Sequence, residues 1–346
     1  MSEENMICSF CSKSRKDVTK MIVGATKVAI CNECVKLCVE ILDEDIVKSR
    51  KEKLYAGDKE ILNPIIIKEH LDQYVIGQEQ AKTVMSVAVA NHYKRITQPP
   101  TDFELDKSNV LLLGATGAGK TLMARTIAKY LEVPFAMADA TTLTESGYVG
   151  DDIENVVQKL YAASNGDIEK TERGIIFIDE IDKISGGIGF GASLNNNEDK
   201  NYLAEVKPED LIKYGLIPEF VGRFSMITSV SSLTEDQLVK ILTEPRNALI
   251  KQTQYLFGLD DIKIEFSTDA KISIAKKAKA LGTNARGLKN IVDSIVLPYQ
   301  FDASEMRARG VNKIQITADV VDNKADPVLL FKKTDAKTQN KKTNGI

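Results

Sequence analysis

Short apolar runs alternate with longer mixed segments through the middle of the chain, which is the pattern of buried strands connected by helices. Helical segments include Glu79–Arg95, ahead of the first run, and Leu122–Leu131, just behind it. Four runs have the length of strands: Val110–Leu113, Phe135–Ala138, Ile175–Asp179 and Ser225–Val230. This alternation predicts an α/β domain built on a parallel sheet.

From Ser232 onward the apolar positions recur mainly at helical spacing. Helices are predicted at Glu235–Leu242, Asn247–Phe257, Ala270–Leu281 and Ala285–Val296. Two short strands, Ile262–Phe266 and Lys313–Ile316, are predicted to pair with each other. The pattern therefore indicates a second, α-rich domain. After Phe331 the chain is rich in Lys, Thr, Asn and Gln, which predicts a disordered tail.

Composition adds limits to this picture. The chain has 346 residues, of which 43% are hydrophobic and 27% charged, values typical of a soluble globular protein with two or three domains. A net charge of −3 offers no general basic surface for nucleic acid. No apolar run approaches the roughly 20 residues that cross a bilayer, and no signal-peptide core is present. We expect a cytoplasmic protein with no nucleic-acid or membrane partner.

All five cysteines lie within the first 38 residues. The two pairs Cys8-x-x-Cys11 and Cys31-x-x-Cys34 predict a tetrahedral sulfur site for Zn²⁺, with free structural cysteines as the alternative. Cys38 is expected to be a small buried residue rather than a fifth ligand. A module of about 40 residues buries too little core to fold alone, so we expect the metal to stabilise it and its surface to serve docking or pairing.

A phosphate-binding loop is the main candidate site. The pattern G-x-x-x-x-G-K-[ST] follows the strand Val110–Leu113 and precedes a helix, so backbone N–H groups can surround phosphates, Lys120 can add a positive charge, and Thr121 can offer a hydroxyl to Mg²⁺. The candidate nucleotide-binding residues of the loop are Gly114, Ala115, Thr116, Gly117, Ala118, Gly119, Lys120, Thr121 and Leu122.

Two further stretches fit a nucleotide site. Val75 and Ile76 lie just ahead of a helix, where apolar side chains can form an adenine pocket, although alone they indicate only core. Asp179 and Glu180 end an apolar strand, where an aspartate can hold Mg²⁺ through water and a glutamate can activate the attacking water. Together with the loop, these acids indicate an ATPase.

A tyrosine and a valine lie between two glycines in Gly147-Tyr148-Val149-Gly150. Flanking glycines leave such a tip mobile, so Tyr148 and Val149 can grip a polymer without reading its chemistry. The alternative, equally supported by these residues alone, is a turn whose tyrosine packs into the core.

In combination and order, these motifs resemble the ClpX family, hexameric AAA+ unfoldases that feed proteins into the ClpP peptidase. The resemblance extends from Cys8 to about Leu330. Besides the cysteine module and the phosphate loop, it rests on Val75–Gln78, Ala138–Glu145, Gly147–Gly150, Ile178–Lys183, Gly215–Arg223 and Gly282–Leu288. It implies an AAA+ P-loop fold with a small C-terminal domain, ATP hydrolysis with Mg²⁺, and Zn²⁺ in the N-terminal module.

The resemblance also implies roles for single residues. Arg223 matches the arginine finger that reaches a neighbouring subunit's nucleotide, and Arg286 matches the sensor-2 arginine. Tyr148 and Val149 match a substrate-gripping pore loop. The segment Ile188-Gly189-Phe190 matches the loop that docks on the peptidase. The implied partners are a homo-hexamer, a ClpP-type peptidase, protein substrates and adaptors, with dimerisation through the zinc module.

One departure from the family lies after the Ile178–Lys183 motif. Family members carry a long segment there, with a second pore loop and the sensor-1 strand, but here Ser185 runs almost directly into Ile188. Because that strand lies between those of Val110 and Ile175, its absence predicts a gap near the centre of the sheet. Either the flanking strands close up, which shifts Asp179 and Glu180 by about 4.8 Å, or the domain is damaged.

Three functions therefore compete. The first is an ATP-driven unfoldase of the ClpX kind, and the second is a nucleotide-binding adaptor that has lost hydrolysis. The third is a DNA-related AAA+ motor, which the acidic balance and the Gly-Tyr-Val-Gly loop oppose. Whether this chain hydrolyses ATP stays open. The predicted domains are a zinc module (1–45), a linker (46–62), a large AAA+ domain (63–230), a small one (231–331) and a tail (332–346).

Overall fold

A computed structural model describes residues 7–24, 28–39, 41–42, 60–97, 102–103, 105–107, 109–142, 153–181 and 206–331. The chain divides into a smaller unit, residues 1–62 with 93–100, and a larger unit, residues 63–92 with 101–346.

The smaller unit contains an antiparallel hairpin. Strand β1 (Met21–Val23) pairs with β2 (Ala29–Cys31), and Met21 lies opposite Cys31. Residues 32–39, directly after β2, are helical. A single 3-10 turn, Arg15–Asp17, precedes the hairpin and is capped by the hydroxyl of Ser14. These short elements bring the two cysteine pairs together.

The first part of the larger unit alternates helices and strands, as the sequence pattern predicts. In chain order its elements are α1 (Pro64–Asp72), α2 (Glu79–Thr97, of which residues 93–97 are assigned to the smaller unit), β3 (Val110–Gly114), α3 (Lys120–Leu131), β4 (Phe135–Asp139), α4 (Ile153–Ala163), α5 (Ile168–Glu172), β5 (Ile175–Asp179), α6 (Pro208–Tyr214), α7 (Pro218–Val221) and β6 (Met226–Val230).

All four predicted strands are present, but they form two separate parallel pairs. β3 pairs with β6, and β4 pairs with β5. Within the described residues no ladder joins β3 to β5, so the predicted gap is present and the flanking strands have not closed up into a ladder. Ile176 and Ile178, which point to the same face of β5, are 42% and 41% exposed, so this face is only partly covered.

Packing, rather than strand pairing, connects the two pairs. Helix α3 contacts β5. Ile181, just after β5, packs against an apolar cluster that contains Leu111 and Leu113 of β3. The remaining members of that cluster come from α6, α7 and their flanks, and from β6: Val206, Leu211, Leu216, Val221, Phe224 and Ile227.

The second part of the larger unit is α-rich with one small sheet. Its elements are α8 (Glu235–Thr243), α9 (Leu249–Leu259), β7 (Lys263–Phe266), α10 (Thr268–Ala280), α11 (Asn284–Phe301), α12 (Ala303–Ala308), β8 (Val311–Ile316), α13 (Ala318–Val321) and β9 (Val328–Phe331). β7 and β8 pair in parallel, which confirms the predicted partners. β9 adds an antiparallel third strand that the sequence pattern did not predict.

A continuous core stabilises this part of the unit. Leu238, Phe257, Ile274, Leu288 and Ile314 are all fully buried in it. Helix α11 is longer than predicted because it continues through Pro298 to Phe301.

Among the described helices, none combines the length and the apolarity needed to cross a membrane.

Candidate functional site

The phosphate loop connects β3 to α3 and depends on glycine geometry. Gly114, Gly117 and Gly119 have φ values of 129°, 79° and 104°, which side chains rarely adopt. A Cβ at Gly114 would lie 2.2 Å from the carbonyl oxygen of Val230, so β3 and β6 pack too closely for any other residue there. The backbone conformation thus requires the glycines that define the motif.

Lys120 starts helix α3 at the end of the loop. Its Nζ donates hydrogen bonds to the carbonyl oxygens of Gly114 (2.6 Å) and Ala115 (3.1 Å). The ammonium therefore lies over the loop, at the N-terminal end of a 12-residue helix. Both the helix end and the ammonium favour an anion.

Val75 lies against the loop. It is buried, and its Cγ1 lies 3.9 Å from the position of a Cβ built on Gly119. Ile76 is half-buried next to it. An apolar wall therefore borders the phosphate loop at the place where the sequence predicted an adenine pocket.

Gln78 fixes this wall, a role that its sequence context did not predict. Its Nε2 donates to the carbonyl oxygens of Ser231 (2.8 Å) and Ala118 (3.4 Å), while its Oε1 accepts the N–H of Ser231 (2.9 Å). Gln78 thus connects the wall, the loop and the end of β6. The sequence feature that could have indicated this role is a polar residue between Gly77 and the start of α2. In the structure this residue is buried.

Asp179 and Glu180 lie at the carboxyl end of β5. Asp179 pairs in register with Asp139 of β4. Glu180 has a φ of 56°, and its N–H donates to Oδ1 of Asp179 at 3.0 Å. The two acids are therefore adjacent at the end of the strand, but β5 has no backbone ladder to the strand that carries the loop.

The two candidate arginines lie in different settings. Arg286 is in the first turn of α11, and its backbone N lies 3.6 Å from a Cβ built on Gly117, so the helix start borders the loop. Arg223 is exposed, and its carbonyl oxygen accepts a hydrogen bond from Asn109 at 3.2 Å. Tyr148, Val149, Ile188, Gly189 and Phe190 lie outside the described residues.

The four predicted metal ligands meet in the smaller unit. The sulfur atoms of Cys8, Cys11, Cys31 and Cys34 all lie within 4.8 Å of one another. Cys8 to Cys34 is 3.9 Å and Cys11 to Cys31 is 3.6 Å. A tetrahedral zinc site with Zn–S bonds of about 2.3 Å has sulfur-to-sulfur edges of about 3.8 Å, so this donor set fits Zn²⁺. Cys38 is half-buried, less than predicted, and is not part of this set.

The thiols respond unequally to their surroundings. Burial raises the pKa of Cys8, but backbone hydrogen bonds, including one from the N–H of Cys31, outweigh burial and lower the pKa to about 6. The pKa of Cys34 is raised by its hydrogen bond with Cys11 and by burial. Four thiolates in this space need a cation, which Zn²⁺ supplies.

Comparisons with known proteins agree with both sites. Residues 6–44 match the family described as ClpX C4-type zinc finger, and residues 105–190 match the AAA domain (Cdc48 subfamily). The second range includes the phosphate loop, Asp179 and Glu180.

A similar protein from Treponema denticola, "ATP-dependent Clp protease ATP-binding subunit ClpX", is 41% identical over 384 aligned positions. These cover 88% of this chain and 91% of the relative. The alignment has more positions than the 346 residues of this chain, so the relative carries residues with no counterpart here. Identity at this level over most of both sequences, together with the zinc-finger and AAA matches, shows that the chain belongs to the ClpX family.

Proposed function

We propose that this chain is the ATP-binding subunit of a Clp-type protease, which uses ATP to unfold protein substrates and pass them to a ClpP-type peptidase. The observation that carries this proposal is the phosphate loop. Its three left-handed glycines, the ammonium of Lys120 and the wall around Val75 form one nucleotide site. Family membership gives the partner class.

Each residue of the site has a role in the proposal. Loop N–H groups and Lys120 bind the phosphates, and Val75 with Ile76 contacts the adenine. Thr121 and Asp179 would hold Mg²⁺, which neutralises charge on the phosphates when bound. Glu180 takes the proton of the attacking water.

The arginines divide between two subunits. Arg286 lies at the start of α11, beside the loop of its own chain, and contacts the same chain's nucleotide. Arg223 is exposed and serves the nucleotide of a neighbour, which makes the working form a homo-hexamer. The role of Arg223 as an arginine finger supports a ring of subunits, because such an arginine acts on the nucleotide site of a neighbouring subunit.

Substrate and peptidase contacts complete the proposal. Tyr148 and Val149 grip the translocating polypeptide, and Ile188, Gly189 and Phe190 dock in a pocket of the peptidase. The zinc module pairs with a second copy or with adaptors.

The split sheet favours a second candidate, a family member that binds ATP without hydrolysing it. Glu180 must be placed to well under about 1 Å to activate water. The strand that carries it has no ladder to β3. Nucleotide binding does not require β5, because the loop, the wall and α3 are formed without a ladder from β3 to β5.

Three measurements on the full chain separate these candidates. We expect ATP binding by calorimetry in the wild type and its loss in Lys120→Ala. A wild-type ATPase rate well above that of Glu180→Gln, with nucleotide-dependent loss of a tagged folded substrate in the presence of a ClpP-type peptidase, supports the unfoldase. Equal rates in wild type and Glu180→Gln, with ATP binding intact, support the second candidate. Absence of ATP binding refutes both.

A further inference from the structure

Asn284, the first residue of α11, reaches across to the phosphate loop. Its Nδ2 donates a 3.0 Å hydrogen bond to the carbonyl oxygen of Thr116. We propose that Asn284 is a positioning residue for nucleotide phosphates, which acts by fixing the first part of the loop. The inference rests on the proposed nucleotide site and assigns to it a residue outside the glycine-lysine motif.

The direction of a peptide plane explains how Asn284 acts on phosphate. No cis peptide bond occurs among the described residues, so the Thr116 carbonyl and the Gly117 N–H point in opposite directions. When Asn284 holds the carbonyl, it turns the Gly117 N–H away from α11. That N–H is then held in place before phosphate arrives, which reduces the cost of ordering the loop on binding.

The phosphate loop and the start of α11 are also in close contact at the residues next to Thr116 and Asn284. A Cβ on Gly117 would lie 2.7 Å from the carbonyl oxygen of Thr283. The turn Thr283–Arg286 therefore packs directly on the loop. The Asn284 bond joins these surfaces, so the same bond keeps Arg286 beside the phosphate site.

The backbone of Asn284 makes a clean test possible. Its φ is 48°, in the left-handed region that glycine and asparagine adopt most readily. Asn284→Gly is therefore compatible with this backbone conformation and removes the side chain that carries the amide. Asn323, with a φ of 57° in the turn after α13, is a matched control, because Asn323→Gly makes the same change outside the site.

The experiment measures ATP, ADP and adenosine binding to the full-length protein. Loss of one neutral hydrogen bond predicts that Asn284→Gly weakens ATP and ADP binding about three- to tenfold. Adenosine, which has no phosphate, should bind equally to wild type and variant in saturation-transfer NMR. Asn284→Asp should weaken ATP binding further, because its carboxylate cannot donate and repels phosphate. Asn323→Gly should match wild type throughout.

Two results overturn the inference. One is unchanged ATP and ADP affinity in Asn284→Gly, and the other is an equal loss for adenosine, which would indicate general damage to the pocket. Failure of the wild type to bind ATP would instead refute the proposed function. The mobility of the loop backbone in the nucleotide-free protein still decides the inference in that case. Greater mobility of Thr116 and Gly117 in Asn284→Gly, measured by nitrogen-15 NMR relaxation, supports it, and unchanged mobility overturns it.

Discussion

Lys82 provides the sharpest test of how the nucleotide pocket is stabilised. Its side chain is only 2% exposed, and its Nζ contacts the carboxylate of Asp72, Oε1 of Glu79 (2.7 Å) and the carbonyl oxygen of Val75 (3.4 Å). Asp72 and Glu79 are 39% and 66% exposed, and both also pair with Lys68. The buried ammonium thus connects α1, α2 and the pocket wall.

Two opposing energies determine how much Lys82 contributes to the free energy of unfolding: its attraction to the carboxylates and the cost of burying its charge. Two unit charges 2.7 Å apart attract by about 6 kcal/mol at an effective dielectric constant of about 20, while burial of an ammonium costs several kcal/mol. Lys82→Met removes both terms and keeps the buried stem. We therefore expect its free energy of unfolding at pH 7 to lie within about 1 kcal/mol of wild type. The double variant Asp72→Asn with Glu79→Gln leaves the buried charge without a counter-ion and should lose about 3–5 kcal/mol.

The pH dependence gives a second, independent result. Burial raises the pKa of Asp72, but hydrogen bonds from Lys82 and Lys68 outweigh burial and lower the pKa below its ordinary value of 3.8. Hydrogen bonds from Lys68 and then Lys82 lower the pKa of Glu79 below 4.5. Carboxylates with lowered folded-state pKa values stabilise the fold above their unfolded values, and this stability is lost as pH falls through the folded values. Wild type should therefore lose stability below about pH 5 more steeply than Lys82→Met.

Calorimetry at pH 7 and at acid pH, with hydrogen exchange over residues 64–92, measures both effects. Lys68→Met is the matched control, because Lys68 binds the same carboxylates from a 28% exposed position. It should flatten the acid dependence without removing a buried charge. A loss above about 3 kcal/mol for Lys82→Met at pH 7, or an acid dependence equal to wild type, would refute the reasoning.

Three smaller predictions follow from local geometry. A chelator should unfold the cysteine module, which would be seen as a loss of NMR chemical-shift dispersion for residues 7–39. Cys31→Ser should have the same effect and Cys38→Ser should not, because Cys31 belongs to the four-thiol set and Cys38 does not. Dispersion that is retained after chelation would contradict this prediction. Within the described residues the buried hydroxyl of Thr228 has no hydrogen-bond partner, so Thr228→Val should maintain or raise the stability measured by calorimetry. Thr253→Val loses a 3.0 Å hydrogen bond to the Leu249 carbonyl oxygen and should lower the stability by about 1 kcal/mol. An equal loss in both variants would argue against an unpartnered hydroxyl at Thr228. Glu132 follows α3 with a φ of 56°, so Glu132→Gly should stabilise the protein by up to about 1 kcal/mol, while Gln158→Gly at an exposed position in the middle of α4 should destabilise it by a similar amount. Destabilisation by Glu132→Gly would show that the Glu132 side chain contributes to stability.

Features encoded by residues close in sequence were predictable. The phosphate loop needs left-handed glycines at fixed spacing, and the two-residue spacing within each Cys-x-x-Cys pair keeps its two thiols close together. The pairing of β7 with β8 also followed from pattern, since both strands are apolar on the buried face. β9 was missed because three of its four residues are exposed and the fourth is only half-buried, which leaves a weak pattern. Helix α11 was cut short because proline usually ends a helix, whereas here the helix continues past Pro298 to Phe301.

Contacts made by single polar side chains over long sequence distances were not predictable. Gln78 reaches Ser231, and Asn284 reaches Thr116, and each bond depends on the placement of two elements far apart in the chain. Their residue types are common at helix starts and turns, where they usually bond locally. Only the folded chain shows that they surround the phosphate loop.

The gap in the sheet was predicted from the absence of an apolar run, but the way in which the two strand pairs pack across the gap was not predicted. Closing up would have required β5 to move one strand spacing and pair with β3; instead each pair keeps its own ladder and they meet through α3 and Ile181. Packing of apolar side chains is less directional than a ladder of hydrogen bonds, so it positions the end of β5 less strictly. In the proposed function, phosphate binding depends on β3, β6 and α3, whereas water activation depends on Glu180 at the end of β5. We therefore expect nucleotide affinity and ATP turnover to be separable in this chain, so a working motor has to be tested by turnover and not by ATP binding.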